Sequence, residues 1–451
     1  MFVKQLPVSP SELTNLLQSL QHNSGTAFLD SASSDHNNSN FSVFAWAPRF
    51  TLVADLKTTS IFENNQLIGT SSADPLSLVN QYLQTIPHVD SKLPFTGGAI
   101  GYWDYELGGR YESLPAPKNT DISMPNMHVG IYDQILLFKP NYTEVYFISH
   151  RENASETFTQ LNDVSKQPNL FDKPFKLTSQ WRSNMTRAEY ETKFDKVQEY
   201  LLSGDCYQIN LAQRFKASYL GDEWNAYLSL REKNAAPFSS FIRIDQGAIL
   251  SVSPERFLQV CNNKIETKPI KGTRPRSKDK QRDIANANEL AVAEKDRAEN
   301  LMIVDLLRND LSKVAVPGSV LVPQLFAIES FPAVHHLVST VTASIRPPFT
   351  AIDLLRGAFP GGSITGAPKI RAMEIIHELE PDPRSVYCGA IGYIKPNGDM
   401  DTNITIRTLV CNQQHIYCWA GGGLVADSIC DSEYQETLDK VNRILPILAA
   451  M

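Results

Sequence analysis

The feature that most restricts the fold is a set of short strand-like runs closed by tight turns, among which only a few isolated helices stand. Ser240 to Ile244 is followed at once by Ala248 to Val252, and Arg256 to Val260 by Lys264 to Lys268, and a meander runs from Tyr387 to Trp419. Links this short permit only antiparallel pairing, because a parallel connection needs a crossover of a dozen or more residues. Thr186 and Glu189 form a capping box ahead of Tyr190, Phe194, Val197 and Leu201, which recur at helical spacing until Gly204. Two further helices are expected over roughly 288–311 and 432–445. Strand runs broken by isolated helices favour an α+β layered fold over regular βαβ alternation.

Residues 1–150 read as a sheet-rich amino-terminal domain, 151–185 as a polar connection and 186–451 as the catalytic region. Gly98-Ala99-Ile100-Gly101-Tyr102 recurs as Gly389-Ala390-Ile391-Gly392-Tyr393. The repeat admits either two sheets of one duplicated plan or a chance likeness between Gly-containing strands. At 451 residues and 42% hydrophobic content the chain can bury a large core. A net charge of −7 argues against a nucleic-acid partner, which would need a concentrated basic surface. The basic stretch 271–282 reads as a solvated loop. Neither a signal peptide nor a membrane-spanning run is expected, which points to the cytoplasm. Six cysteines without CxxC pairs suggest reduced, mostly packed thiols and no zinc or disulfide framework.

Four constellations carry chemistry. A hairpin turn centred near residue 263 places Glu255 opposite Lys271, an acid beside an amine; taken alone, the pair reads equally well as a surface ion pair. Asp296 with Glu299, and Glu433 with Glu436, each project from one helix face, with Lys440 one turn beyond the second pair. Singly these are solvated faces; meeting, they supply hard oxygen ligands suited to Mg²⁺. Phe359 to Lys369 is a Gly-rich loop entering a helix, with Pro368 in the first turn and free N–H groups that suit an anion. It lacks the Lys-Ser/Thr of a phosphate loop, so a carboxylate fits better than a nucleotide. Asn403, Thr405 and Arg407 alternate with Ile404 and Ile406, which makes one strand face polar, and Gly421-Gly422-Gly423 allows close approach of a ligand. Together they describe a site for a small polycarboxylate.

These motifs, with Gly204 to Leu211, Ser253 to Phe257 and Ala298 to Leu306, resemble the chorismate-utilising enzyme family over most of residues 186–443. The resemblance implies a large α/β sandwich of two packed, mainly antiparallel sheets with helices outside. It implies Glu299 and Glu436 as direct Mg²⁺ ligands, Asp296 and Glu433 as ligands through water, and Glu255 as general acid. Thr365, Gly366, Tyr393, Arg407, Gly422 and Lys440 fall where relatives hold the substrate's carboxylates, and His336 matches a histidine important to pyruvate elimination in the anthranilate-forming branch, read here as orienting the substrate. Gln208 stands where water-adding members carry a lysine base, so that chemistry is not expected. Lys271 replaces the alanine of the anthranilate-forming branch and resembles the branch that makes aminodeoxychorismate, with Lys271 as nucleophile. The implied partners are chorismate, ammonia and a separate glutaminase subunit forming a heterodimer. Ser31, Asn40, Phe41, Pro237 and Phe238 match a tryptophan-type pocket. The alternatives are anthranilate formation and a catalytically silent chorismate-binding scaffold.

Overall fold

In the computed structural model, which describes residues 1–32, 40–89, 91–167, 173–331 and 334–451, two antiparallel sheets of 13 and 12 strands dominate. The period-two rule shows how they stack. In the strand Gly247–Ser253, Ala248 and Leu250 enter one apolar cluster and Ile249 another; Leu409 and Cys411 part from Val410 in the same way. The 13-stranded sheet is therefore packed on both faces. The cluster holding Ile249 and Val410 also holds Leu52, Ala99, Leu258 and Ile391 of the second sheet, and forms the filling of the sandwich. The opposite face is covered by helices Pro10–Leu20 and Glu223–Asn234 through Leu13, Leu17, Trp224 and Tyr227. The expected layered α+β sandwich is the fold observed. Among the described residues no helix is long and apolar enough to cross a membrane.

The divisions at 150 and 185 mark no break in either sheet. Thr26–Asp30 pairs with Phe238–Ile244 in the first sheet, and Gly98–Trp103 with Ala390–Ile394 in the second. The repeated pentapeptides are therefore neighbours within one sheet and not markers of two. They run antiparallel with Gly101 opposite Gly392, and a Cβ on either glycine would lie 2.1 Å from a carbonyl of the next strand. The stretch between the two divisions carries a helix, Ala154–Ser165, and two short strands paired to Gln208–Leu220.

The capping box at Thr186 and Glu189 starts the helix Arg187–Leu202, and all four of its periodic apolar residues are buried. The helix expected over 288–311 is two, Lys280–Val292 and Glu294–Ser312, joined through extended Ala293. A single extended residue hardly disturbs helical periodicity, so the pattern does not reveal it. The hairpin register is one residue from that expected, with Val260 opposite Ile265. The hairpin also ends at Thr267, and the strand bearing Lys271 pairs instead with Val334–Ser344. The meander divides: Ala390–Ile394 and Met400–Ile404 lie in one sheet, Thr408–Asn412 and His415–Leu424 in the other, with 405–407 as the crossing.

Arg384, 1% exposed, ties the layers beneath the Gly-rich loop. Its guanidinium donates to both Glu380 carboxylate oxygens (2.9 and 2.6 Å), to the Ile364 carbonyl (2.8 Å) and to the Asn210 carbonyl (2.8 Å). Removing one partner strands a buried charge. Arg384→Met is expected to cost about 3–5 kcal/mol in urea unfolding, most of it recovered in the Arg384→Met/Glu380→Leu double variant.

Candidate active site

Glu255 immediately precedes the strand Arg256–Cys261, and Lys271 is the second residue of Ile270–Pro275. They are brought together by the Gly-rich loop and not by a continued hairpin ladder. Ser363 Oγ donates to Glu255 Oε1 (3.3 Å), and Lys271 Nζ donates to the Ser363 carbonyl (3.4 Å). Glu255 is 6% exposed. Burial pushes its carboxyl up to about 7, against the opposing pull of Lys271, Ser363, the Ile270 N–H and Lys440. Burial likewise pushes the Lys271 ammonium below the ordinary lysine range, against the pull of Glu299 and Glu255. Acid and amine are thus both displaced toward their neutral forms.

The carboxylates gather where helix Glu294–Ser312 meets helix Cys430–Val441. Lys295 Nζ bridges to Glu433 Oε1 at 3.3 Å, and Gly422 lies over both acids of the second helix. A Cβ at Gly422 would stand 3.3 Å from Glu433 Oε2 and 3.6 Å from Glu436 Oε1. Glu299 is raised by burial and by the neighbouring charges of Glu433 and Asp296. Glu436 is held low: burial pushes it up, but Lys440, Lys271 and Lys295 outweigh that push. Asp296 already pairs with Arg274 (3.1 Å), and Glu433 accepts from Ser428 Oγ (2.7 Å). Among the described residues no three metal-ligating side chains form a closed set. The donor set nevertheless fits Mg²⁺, which takes one or two carboxylates and fills its octahedron with water and substrate oxygens. Like-charge crowding on Glu299 is what a divalent cation would relieve.

Arg407 sits at the crossing between the sheets with φ of 50°. It is half-buried, and its side chain has no hydrogen bond or ion pair among the described residues. A desolvated guanidinium without a partner is a ready receptor for a carboxylate. His336 is hydrogen bonded to Thr273 Oγ1 (2.9 Å), and burial, aided by Arg407, lowers it to about 4, so it is a neutral imidazole at pH 7. Gln208 is fully buried with both amide atoms unpartnered, packed against Gly423. Gly366 pairs with Ile209, and the Thr365 hydroxyl is turned to the Gly361 carbonyl (3.1 Å). Lys440 bonds Glu436 (2.6 Å) and the Gly421 carbonyl (2.8 Å).

Four placements differ from those expected. Tyr393 packs against Phe41 and Phe95 and lines a separate cavity of about 80 Å³ with Ser31, Pro237 and Phe238, so it belongs to the amino-terminal pocket. Asn40 is exposed and outside that lining. Asn403 and Thr405 do not share a polar face with Arg407, because the strand ends at Ile404; their side chains bond Phe238 and Val386 carbonyls. Pro368 precedes the helix Lys369–Leu379 instead of entering its first turn, and Lys369 is spent on Asp310 (2.6 Å) and the Ala358 carbonyl (2.9 Å). Two organising residues had no signal of their own: Ser363, hidden among small loop residues, and Arg384, an isolated arginine after a proline.

A profile of the chorismate binding enzymes matches residues 28–446. The chain belongs to that family. Among its relatives is the aminodeoxychorismate synthase component 1 of Klebsiella aerogenes, 52% identical over 445 residues, covering 98% of this chain and 97% of that protein. The protein of the same name from Escherichia coli is 53% identical over 430 residues, 94% of each chain. Anthranilate synthase component I from Streptococcus pneumoniae superposes with a TM-score of 0.81 at 32% identity, covering 91% of this chain and 93% of that one.

The Glu255 carboxyl makes a pH-dependent contribution to stability. Its folded value near 7 lies above the ordinary glutamate value, so the folded state holds a proton that the unfolded chain has lost. That stability is full below about 4.3 and disappears as pH rises through about 7. Between pH 5 and 8 the unfolding free energy of the Glu255→Gln variant is expected to fall by up to about 3 kcal/mol less than that of the unaltered chain.

Proposed function

We propose that the chain aminates chorismate at C4, forming 4-amino-4-deoxychorismate with the enolpyruvyl group retained, in the cytoplasmic supply of para-aminobenzoate for folate. The observation that carries this reading is Lys271, held beside Glu255 by one serine in a cleft with an unpartnered arginine. Relatives above 50% identity named aminodeoxychorismate synthase component 1 support it. Gln208 supports it too, since an amide cannot act as the base for water addition.

Mg²⁺ held by Glu299 and Glu436, with Asp296 and Glu433 through water, would neutralise the ring carboxylate. Arg407, Gly366, Gly422 and Lys440 surround the substrate's carboxylates, while Gln208 and the neutral imidazole of His336 border the ring. Glu255 in its protonated form delivers the proton to the 4-hydroxyl, which leaves as water. The neutral amine of Lys271 forms a bond to C2 as both ring double bonds shift toward C4 and the C4–O bond breaks, and the resulting ammonium then loses a proton. Ammonia next bonds to C4, both double bonds return to their original places, Lys271 departs from C2 with its electron pair, and it takes up the proton that the new C4 ammonium loses. An ordinary lysine is less than about 0.1% neutral at pH 7, so the downward push on Lys271 is part of the chemistry.

Ammonia is supplied in this reading by a separate glutaminase subunit in a heterodimer, as the printed designation component 1 of the relatives suggests. Cys206, the cysteine nearest Gln208 in sequence, is buried with its thiol pushed up to about 11, the reverse of an activated nucleophile. The amino-terminal cavity is read as a tryptophan-type pocket, which calorimetry with tryptophan would test. Anthranilate formation, the reaction named in the 32% identical neighbour, is the second reading.

Incubation with chorismate, Mg²⁺ and ammonium is expected to give a product that keeps the enolpyruvyl mass; anthranilate and pyruvate would establish the second reading instead. A covalent adduct on the unaltered chain is expected by intact-protein mass, and Lys271→Ala is expected to abolish it and to lower the rate at least about 100-fold. An unchanged rate without adduct removes Lys271 as nucleophile. Glutamine in place of ammonium is expected to give no product with this chain alone.

A further inference from the structure

A second cavity, of about 220 Å³, lies away from the catalytic cleft between the short helix Tyr105–Arg110, the segment 114–118 and the helix Lys369–Leu379. Its mouth is formed by the exposed residues Pro115, Ala116 and Pro117. Leu56, Leu114, Met373 and Ile376 make its walls apolar. At its floor are two polar groups whose bonding is incomplete. Tyr105 is 7% exposed, and its hydroxyl has no hydrogen-bond partner. Glu106 spends one carboxyl oxygen on the Arg384 N–H (2.9 Å), while its buried Oε2 has none. Unmet polar atoms under an apolar wall are costly and rare in folded proteins.

The other charges around the cavity are already engaged. Glu380 is paired with Arg384, Asp382 with Arg214 (3.0 Å), and Lys118 donates to the Glu380 carbonyl (2.5 Å) and the Glu378 carbonyl (3.3 Å). What the floor lacks is therefore a donor for Glu106 Oε2 and a partner for the Tyr105 hydroxyl. With Lys118, Arg384, Glu380 and Asp382 engaged, the open Glu106 oxygen calls for an N–H donor, and the apolar walls favour a neutral one, since they would leave a charged ligand desolvated. The volume is small beside drug-sized pockets and suits a single ring.

We propose that this cavity binds a neutral single-ring aromatic amine, with its N–H group donating to Glu106 Oε2, its nitrogen beside the Tyr105 hydroxyl and its ring between Leu114, Met373 and Ile376. The site is distinct from the cleft of Glu255 and Lys271. Its floor is nonetheless continuous with that cleft's support, because the carboxyl that receives the amine also holds the backbone of Arg384, whose guanidinium holds the Ile364 carbonyl.

Saturation-transfer NMR with aniline on the full chain tests the proposal, and binding is the readout whichever reaction the chain catalyses. A ligand this small is expected to bind in roughly the millimolar range. Ala116→Trp closes the mouth from an exposed position, and Glu106→Gln keeps an acceptor for the Arg384 N–H while turning the floor acceptor into a donor. Both variants are expected to weaken aniline at least about fivefold while the far-ultraviolet dichroism and the thermal transition stay within those of a folded chain. No transfer up to ~10 mM, equal transfer in both variants, or tighter binding of the cationic benzylamine overturns it and leaves a water-filled cavity.

Discussion

The active site rests on the buried ion pair between Arg384 and Glu380. Withdrawing two charges from water costs several kcal/mol each, and the attraction between them offsets this only with good geometry and full hydrogen bonding. Here both conditions are met: the pair is bidentate, the remaining guanidinium protons reach Ile364 and Asn210 carbonyls, and Glu380 also accepts the Ala212 N–H at 2.9 Å. One helix end, the long strand Gln208–Leu220 near the edge of its sheet and the Gly-rich loop are fixed relative to one another at a single point. Ser363 stands next to Ile364 in that loop, so the serine that joins acid to amine takes its position from this pair.

The same desolvation that makes the ion pair expensive prepares the chemistry. Glu255 is driven toward its acid form and Lys271 toward its free amine by burial, while each partly resists through the other's charge. A neutral acid beside a neutral amine is the state an allylic displacement needs. The surrounding lysines and carboxylates keep the balance: Lys440 draws on Glu255 and Glu436, and Glu299 draws on Lys271. No single residue sets the protonation of the cleft.

Much of this was legible in the sequence because strands and helices write their period into it. The capping box at Thr186, the hairpin at 261–264 and the acid pairs on two helices are local patterns, and the structure has them. The errors fall where a single residue changes direction without changing the pattern. Ala293 breaks a helix, and Arg407 takes the chain from one sheet to the other. Tyr393 was misplaced for a related reason: successive strand residues face opposite cores, so a motif near the site can point its aromatic away from it. Arg384 was out of reach, since a lone arginine carries no trace of the carbonyls it will meet.

The pairing of Gly98–Trp103 with Ala390–Ile394 has a consequence for how the chain is made. A strand completed early in synthesis, all of it buried in the final fold, gains one neighbour soon, Met127–Tyr132, but must wait for most of the remaining polypeptide before its second emerges from the ribosome. Until then its apolar residues and unpaired backbone are an open edge of the kind that invites association with other chains. The seam that joins the two halves is thus the last pairing of that strand to form.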